Sequence, residues 1–361
     1  MPSLSVEPLG ARPLRRVVAA LCVTQIVSWG VLFYAFPVMA TSISESQDWP
    51  LTTVVAVFTV SQLVAAVAGI AVGHLLDRNG PRRLMTVGSA VAVVALVVIA
   101  TAPSLPIFLL GWVCAGVAMS ATLYPPAFAT ITHWAPAEHR VRALTALTLV
   151  AGFASTVFAP LAAVLDGHTD WRTTYLVLAG VLAGTVPLHW RALDAPWRTR
   201  RDDPRAATSP AGRAPARAGG TWEVVRQPRY VGLVAAFTLG GFCVYAVVIN
   251  LVPLLTEHGL TTTEAAVALG IGGVGQVGGR LLYAPVIAKM PVEPRTVVVL
   301  LAAGATTAAI ALSADWLVVV GVASFAAGIA RGIFTLIQAT AVTDRWGRSP
   351  TGPATRCSPA A

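Results

Sequence analysis

The chain has 361 residues, of which 56% are hydrophobic and only 11% charged, and its mean hydropathy is +0.72. Soluble domains carry about 25% charged residues, so too few charges are present to cover a soluble enzyme, a nucleic-acid binder or a disordered scaffold of this size. The net charge of +9 is read instead as a topological signal, because cations gather on the cytoplasmic side of membrane proteins.

In chain order, apolar segments of the length that spans a bilayer, about 20 residues, occupy 17–43, 51–76, 84–102, 105–132, 142–165, 172–191, 229–256, 264–288, 296–313 and 316–340. They predict an all-α membrane protein with about ten transmembrane helices. The first segment follows Arg12, Arg15 and Arg16, as a signal peptide would. It is longer than such a peptide's apolar core and no cleavage site follows, so it reads as a retained helix. With the N-terminus inside, 22 of the 25 Lys and Arg residues fall in inside segments. The outside loops hold only Arg172, beside Glu45, Asp48, Asp166, Asp170, Glu257 and Asp315. This asymmetry predicts a multi-pass protein of the inner (plasma) membrane with both termini cytoplasmic.

The spacing of spans breaks at 192–228, a stretch rich in Pro, Arg, Gly and Ala without apolar period, which reads as a solvated cytoplasmic linker. The predicted organisation is a six-helix half over 1–191, the basic linker over 192–228, a four-helix half over 229–340 and a cytoplasmic tail over 341–361.

Between the second and third spans stands Gly73-His-Leu-Leu-Asp77-Arg78-Asn-Gly80-Pro81-Arg82-Arg83. Physically, Gly73 is expected to let a neighbouring helix approach and Gly80 to make a tight turn. Asp77 is expected at a helix end, beside arginines or a helix N-terminus. The run resembles the signature loop of the major facilitator superfamily, G-x-L-x-D-R-x-G-R-R, with Pro81 where a basic residue is common. The resemblance extends over nearly the whole chain and implies two halves built from three-helix inverted repeats, working by alternating access. It makes Gly73, Asp77, Arg78, Gly80, Arg82 and Arg83 the gating loop. Trp29-Gly30-Val-Leu-Phe33-Tyr34-Ala-Phe36-Pro37, Gly275-Gln276-Val-Gly278-Gly279-Arg280 and Trp171-Arg172 look like the bacterial monocarboxylate and oxalate/formate carrier-like branch. The family has twelve helices, whereas here ten precede a Pro/Ser/Ala-rich tail. The expectation is a C-terminally truncated carrier; a ten-helix carrier and a non-transporting remnant are the alternatives.

Two cations fall inside spans, Arg280 in the eighth and Arg331 in the tenth. Intramembrane charge is costly and marks function, and a guanidinium suits bidentate binding of a carboxylate. All 16 acidic residues lie in loops, at span ends or in the termini, so no embedded carboxylate balances these arginines. A positive cavity favours a small organic anion such as a monocarboxylate over the other transport reading, efflux of a drug-like compound. Gln276 stands four residues before Arg280 on the same helix face. With Asn250, Tyr34 and Tyr124 it completes the candidate substrate-binding set. Interhelical hydrogen bonding is an equal use for each of these neutral groups.

The six histidines lie in loops or near span ends, and none is given a proton-relay role. No CxxC spacing exists, and the Gly-rich run before Arg280 lacks the preceding strand that a phosphate cradle needs. No catalytic residue, cofactor, metal or nucleic-acid partner is expected. The expected partners are a small-molecule substrate, the lipid bilayer and a proton as coupling ion, and the expected state is a monomer.

Overall fold

The structure is a computed structural model that describes residues 9–197, 226–283, 287–312 and 317–346. All regular structure among the described residues is helical. The first crossing joins α1 (Ala11–Trp29) to α2 (Ala35–Gln47) through a π-turn at Gly30–Tyr34. Pro37 has no N–H to offer the preceding turn, and the extra residue of the π-turn absorbs that misfit. The rod ends at Asp48, whose left-handed φ of 55° closes the helix.

Helix α3 (Leu51–Thr101) holds the second and third expected spans in one run of 51 residues, folded at Gly80 with φ 71° and ψ 170°. Only glycine adopts that backbone without strain. Helices α4 (Leu105–Thr122) and α5 (Tyr124–Trp134) break at Leu123. Pro125 and Pro126 open α5 in its first turn, where missing N–H groups cost nothing. Helices α6 (Ala137–Gly152) and α7 (Ala154–His168) meet at Phe153, and α8 (Trp171–Ala183) and α9 (Thr185–Ala192) at Gly184. The second part of the chain forms α10 (Pro228–Glu257), α11 (Thr262–Tyr283), a short 3-10 turn at Ile287–Lys289, α12 (Val292–Leu312) and α13 (Leu317–Trp346).

Eight of these rods are long and apolar enough to cross a membrane among the described residues. One of the eight, α3, folds back on itself, and α8 with α9 covers the expected span at 172–191. Every expected span therefore falls on helix, with corrections at the ends. Helix α11 is described as far as Tyr283, residues 284–286 lie outside the described residues, and Ile287–Lys289, where the expected span ends, is a 3-10 turn. Helix α12 starts four residues before its hydropathy does, so Arg295, expected in a loop, is helical and only 4% exposed.

The bundle has two ends, named here the Asp48 face and the Gly80 face. Toward the Asp48 face one apolar core joins both parts of the chain. It runs from Phe36, Met39, Phe58, Phe108 and Trp171 to Val252, Leu255 and Leu269. Toward the Gly80 face the core divides. Leu21, Met85, Ile131, Trp134 and Leu147 pack together in the first part, and Phe237, Val299, Phe334 and Ile337 in the second. The molecule is thus closed at one end and parted at the other.

Two close packings fix the local geometry. Helices α11 and α13 cross backbone to backbone: a Cβ on Gly275 would stand 2.1 Å from Phe325 O, and one on Gly332 2.2 Å from Gln276 O. Such contact is possible only between glycines and main chain. The second packing corrects the linker boundary. Leu193, expected to be solvated, is 1% exposed, because it and Trp197 join the apolar cluster of α1, α5 and α6. The expected linker beyond it, 198–225, and the tail from 347 onward lie outside the described residues.

Candidate functional site

Arg280 and Arg331 are 7% and 6% exposed, and Gln276 between them is 5% exposed. The Gly-lined crossing of α11 and α13 brings them together. Arg331 Nε donates to Gln276 Oε1 at 3.2 Å. Arg280 Nη1 donates to the carbonyl of Thr148 on α6, and to Tyr124 Oη on α5 at 3.5 Å. Tyr245 of α10 lies within electrostatic reach of Tyr34, Tyr124, Arg280 and Arg331. One cluster therefore gathers side chains from both parts of the chain, beneath the shared core.

Aromatic rings from both parts wall the cluster. Trp29 and Tyr124 lie 5.0 Å apart by ring centroids, Trp29 and Phe33 5.6 Å, and Phe33 and Tyr245 5.8 Å. The charge is uncompensated. Among the described residues the buried polar and charged side chains include Arg280, Arg295 and Arg331 but no Asp or Glu. Arg280 Nε, Arg331 Nη2 and Trp29 Nε1 are buried donors without an acceptor. Unmade bonds at buried donors cost about 1–3 kcal/mol each, more for charged groups, so the cluster is arranged to receive acceptor atoms.

Five of the six expected binding residues, Arg280, Arg331, Gln276, Tyr124 and Tyr34, thus share one place. Asn250 stands apart: it is exposed and its Nδ2 donates to Ala246 O of its own helix at 2.8 Å. Sequence reasoning had no means of finding the Thr148 carbonyl, because a main-chain acceptor carries no residue-type signature. It also passed over Gly152, where a Cβ would stand 3.0 Å from Arg280 Nη1.

The gating loop lies on the Gly80 face. Gly80 makes the expected turn. Gly73 corrects its expectation, since no described atom lies within 4 Å of where its Cβ would be, and the bare Cα admits no helix here. Arg82 lies 4.0 Å over the Trp190 ring and donates from Nε to Trp190 O at 2.8 Å. Arg78 and Arg83 are exposed, as is Asp77, whose carbonyl accepts from Trp197 Nε1 at 3.4 Å. On the opposite face Arg172 is consumed structurally. It donates to Ala100 O at 2.7 Å and Ala102 O at 2.9 Å, capping the C-terminus of α3, and to Gln47 Oε1 at 2.9 Å.

One histidine differs from its expected place near a span end in solvent reach. His189 is fully buried, with Nδ1 2.9 Å from Ser89 Oγ. Among the described residues no group of three His, Cys, Asp or Glu side chains stands close enough to hold a metal ion.

Comparison with known proteins agrees with this architecture. The family model of the Major Facilitator Superfamily matches residues 21–355. A bacterial homologue of the human lysosomal transporter Spinster, inward-facing and unoccupied, superposes with a TM-score of 0.67 at 18% identity, covering 93% of this chain and 76% of that one. The xylose transporter XylE of E. coli, partially occluded and inward open, gives 0.69 at 12% identity, covering 93% and 85%. A variant of the nucleoside transporter NupG gives 0.69 at 12%, covering 93% and 84%. These identities establish a shared fold. No curated protein matches the chain.

Proposed function

The chain belongs to the major facilitator superfamily, and from that premise we propose that it carries a small organic anion, a monocarboxylate above all, through the Arg280–Arg331 cluster. Membership makes it a multi-pass membrane protein and a secondary transporter of small solutes that works by alternating access. The substrate class rests on one observation: two buried arginines at the junction of the two parts, with no buried carboxylate among the described residues.

A carboxylate reaching the cluster supplies the missing charge. Its oxygens accept from Arg331 Nη2 and Arg280 Nε, the donors left open, and the Tyr124, Tyr245 and Trp29 rings flank its body. Burying a guanidinium without a partner is expensive, so the anion is held by the relief of that cost. The proton is proposed to travel as the substrate's companion, and a monomer is the proposed transporting unit. The proposed divisions are the two helical halves at 1–191 and 229–340. The Gly80 face is proposed to be cytoplasmic, on the strength of the 22 inside cations. Reporter fusions after Pro204 and Gly347 check the orientation, and an external signal at either one reverses it.

The substrate reading is tested in proteoliposomes loaded with the purified 361-residue chain. Small carboxylic acids are expected to compete for uptake while their neutral amides do not. Equal competition by acids and amides would remove the anion reading.

A further inference from the structure

Arg280 belongs to α11, yet the two acceptors of its Nη1, the Thr148 carbonyl and Tyr124 Oη, belong to the other part of the chain. Arg331 differs, because its Nε stays within the second part, on Gln276. Thr148 lies in the final five residues of α6, which ends at Gly152. Beside the break at Phe153 the Thr148 carbonyl, which accepts from Arg280 Nη1, carries the partial negative charge that stands where a counter-ion for Arg280 would. Gly152 admits the guanidinium: a Cβ there would lie 3.0 Å from Arg280 Nη1 and 2.7 Å from Val277 Cγ2. Earlier in α11, Ala265, Ala266, Ala268 and Leu269 take part in the core shared by both parts, while Tyr283, just beyond Arg280, packs against the cluster of the second part. Arg280 therefore sits at the boundary between the closed end and the parted end.

We infer that Arg280 is a latch between the two halves, with the Thr148 carbonyl as its counter-charge in the empty carrier, and that an arriving anion, bound at the open Nε, draws the guanidinium away from Thr148. The final clause rests on the anion reading of the site; the latch does not. The carboxylate takes the open Nε and not Nη1, so the competition is one of charge: a full negative charge at Nε replaces the partial charge of the Thr148 carbonyl as the partner of the guanidinium. Binding therefore loosens the contact that holds the Asp48 face shut. Arg331, locked to Gln276, stays with the ligand. Arg280 is in this sense a positioning residue for the conformational step as well as a ligand contact.

The test measures distance, not transport. In the full chain with Cys22, Cys114, Cys243 and Cys357 replaced by serine, nitroxides at Thr169→Cys and Glu257→Cys report opening of the Asp48 face in lipid nanodiscs. Without ligand the parent should give one short distance. Gly152→Ala and Arg280→Gln should each add a longer population. Val277→Ala, which removes the neighbouring methyl groups and spares the guanidinium, should not. Parent-like distances in both Gly152→Ala and Arg280→Gln would overturn the latch. A panel of small carboxylates should then lengthen the parent's distance and leave Arg280→Gln unmoved. Equal lengthening in Arg280→Gln would refute the competition. If no acid moves the parent while both variants still open unliganded, the anion reading falls and the latch is supported on its own.

Discussion

The side chain of Trp197 covers Gly80. A Cβ on Gly80 would stand 2.9 Å from both Cβ and Cγ of Trp197, at a backbone φ of 71°. The same indole lies 4.0 Å from the His133 ring, tilted 32° to it, and the neighbouring Trp134 Nε1 donates to Pro196 O at 3.0 Å. The segment that leaves α9 thus doubles back as a strap over the turn between the second and third crossings. Gly80→Ala should cost about 1–3 kcal/mol for a positive-φ, extended backbone that is essentially glycine's alone and displace Trp197 besides. Trp197→Ala should free the strap without that strain. Hydrogen exchange over residues 74–82 is expected to speed up in both variants, with a lowered melting temperature in Gly80→Ala. Unchanged exchange in Trp197→Ala would show that the strap restrains nothing.

The crossing of α11 and α13 predicts a sharp contrast among glycines. A Cβ on Gly328 would stand 2.0 Å from Gly272 O, whereas Gly278 and Gly304 meet nothing within 4 Å. Gly328→Ala and Gly332→Ala should each destabilise the protein by about 1–3 kcal/mol or more, the usual cost of overpacking. Gly278→Ala and Gly304→Ala should melt like the parent. Thermal unfolding in detergent separates the two groups, and a common melting temperature for all four would mean that the crossing is looser than described.

Much of this architecture is legible in the residues. The apolar runs locate the spans because lipid demands unbroken helix, and Gly80 announces its turn because no other residue holds that backbone. Other features escape for physical reasons. Arg295 is buried because its helix begins before its apolar stretch does, and hydropathy registers only the latter. The strap at Trp197 lies in a segment whose arginines and prolines read as solvated, yet Leu193 and Trp197 decide where its beginning goes. At the site, Arg280, Gln276 and Arg331 stand out as polar groups in apolar helices. Their separate roles do not, because these depend on a main-chain carbonyl and on a glycine that leaves room.

The two arginines should respond differently to substitution in uptake assays. Arg331→Gln removes the open donor, a loss of about 1.5–3 kcal/mol for a charged hydrogen bond, or roughly tenfold to a hundredfold in affinity. Arg280→Lys should impair uptake nearly as much as Arg280→Gln, because an ammonium keeps the charge without the planar fork. Full activity in Arg331→Gln would return that residue to a packing role.

Asp170 supplies a pH dependence outside the spans. Its carboxylate accepts from Thr173 N at 2.7 Å and from Thr173 Oγ1 at 3.2 Å, capping α8. The main-chain bond is the first cause that lowers its pKa below the usual 3.8. A lowered carboxylate pKa stabilises the fold above the unfolded value and loses that contribution as pH falls through the folded one. Asp170→Ala should cost about 0.5–2 kcal/mol at neutral pH, as for other N-caps. Asp170→Asn keeps an acceptor that does not titrate, and its melting temperature should change less than the parent's between pH 4 and pH 2. Parallel melting curves for parent and Asp170→Asn across that range would exclude this contribution.

The glycine crossing of α11 and α13 has a consequence for how a passenger is measured. Helices separated by side chains can slip as those side chains change rotamer, but main chain lying against main chain leaves nothing to rearrange. The backbones that carry Gln276 and Arg280 on one helix and Arg331 on the other are accordingly expected to keep their spacing while the bundle rocks. A solute is gauged by the same fixed ruler on whichever side of the membrane it enters. Preference for one chain length over another should therefore be identical in the two directions of travel, even where the speeds differ.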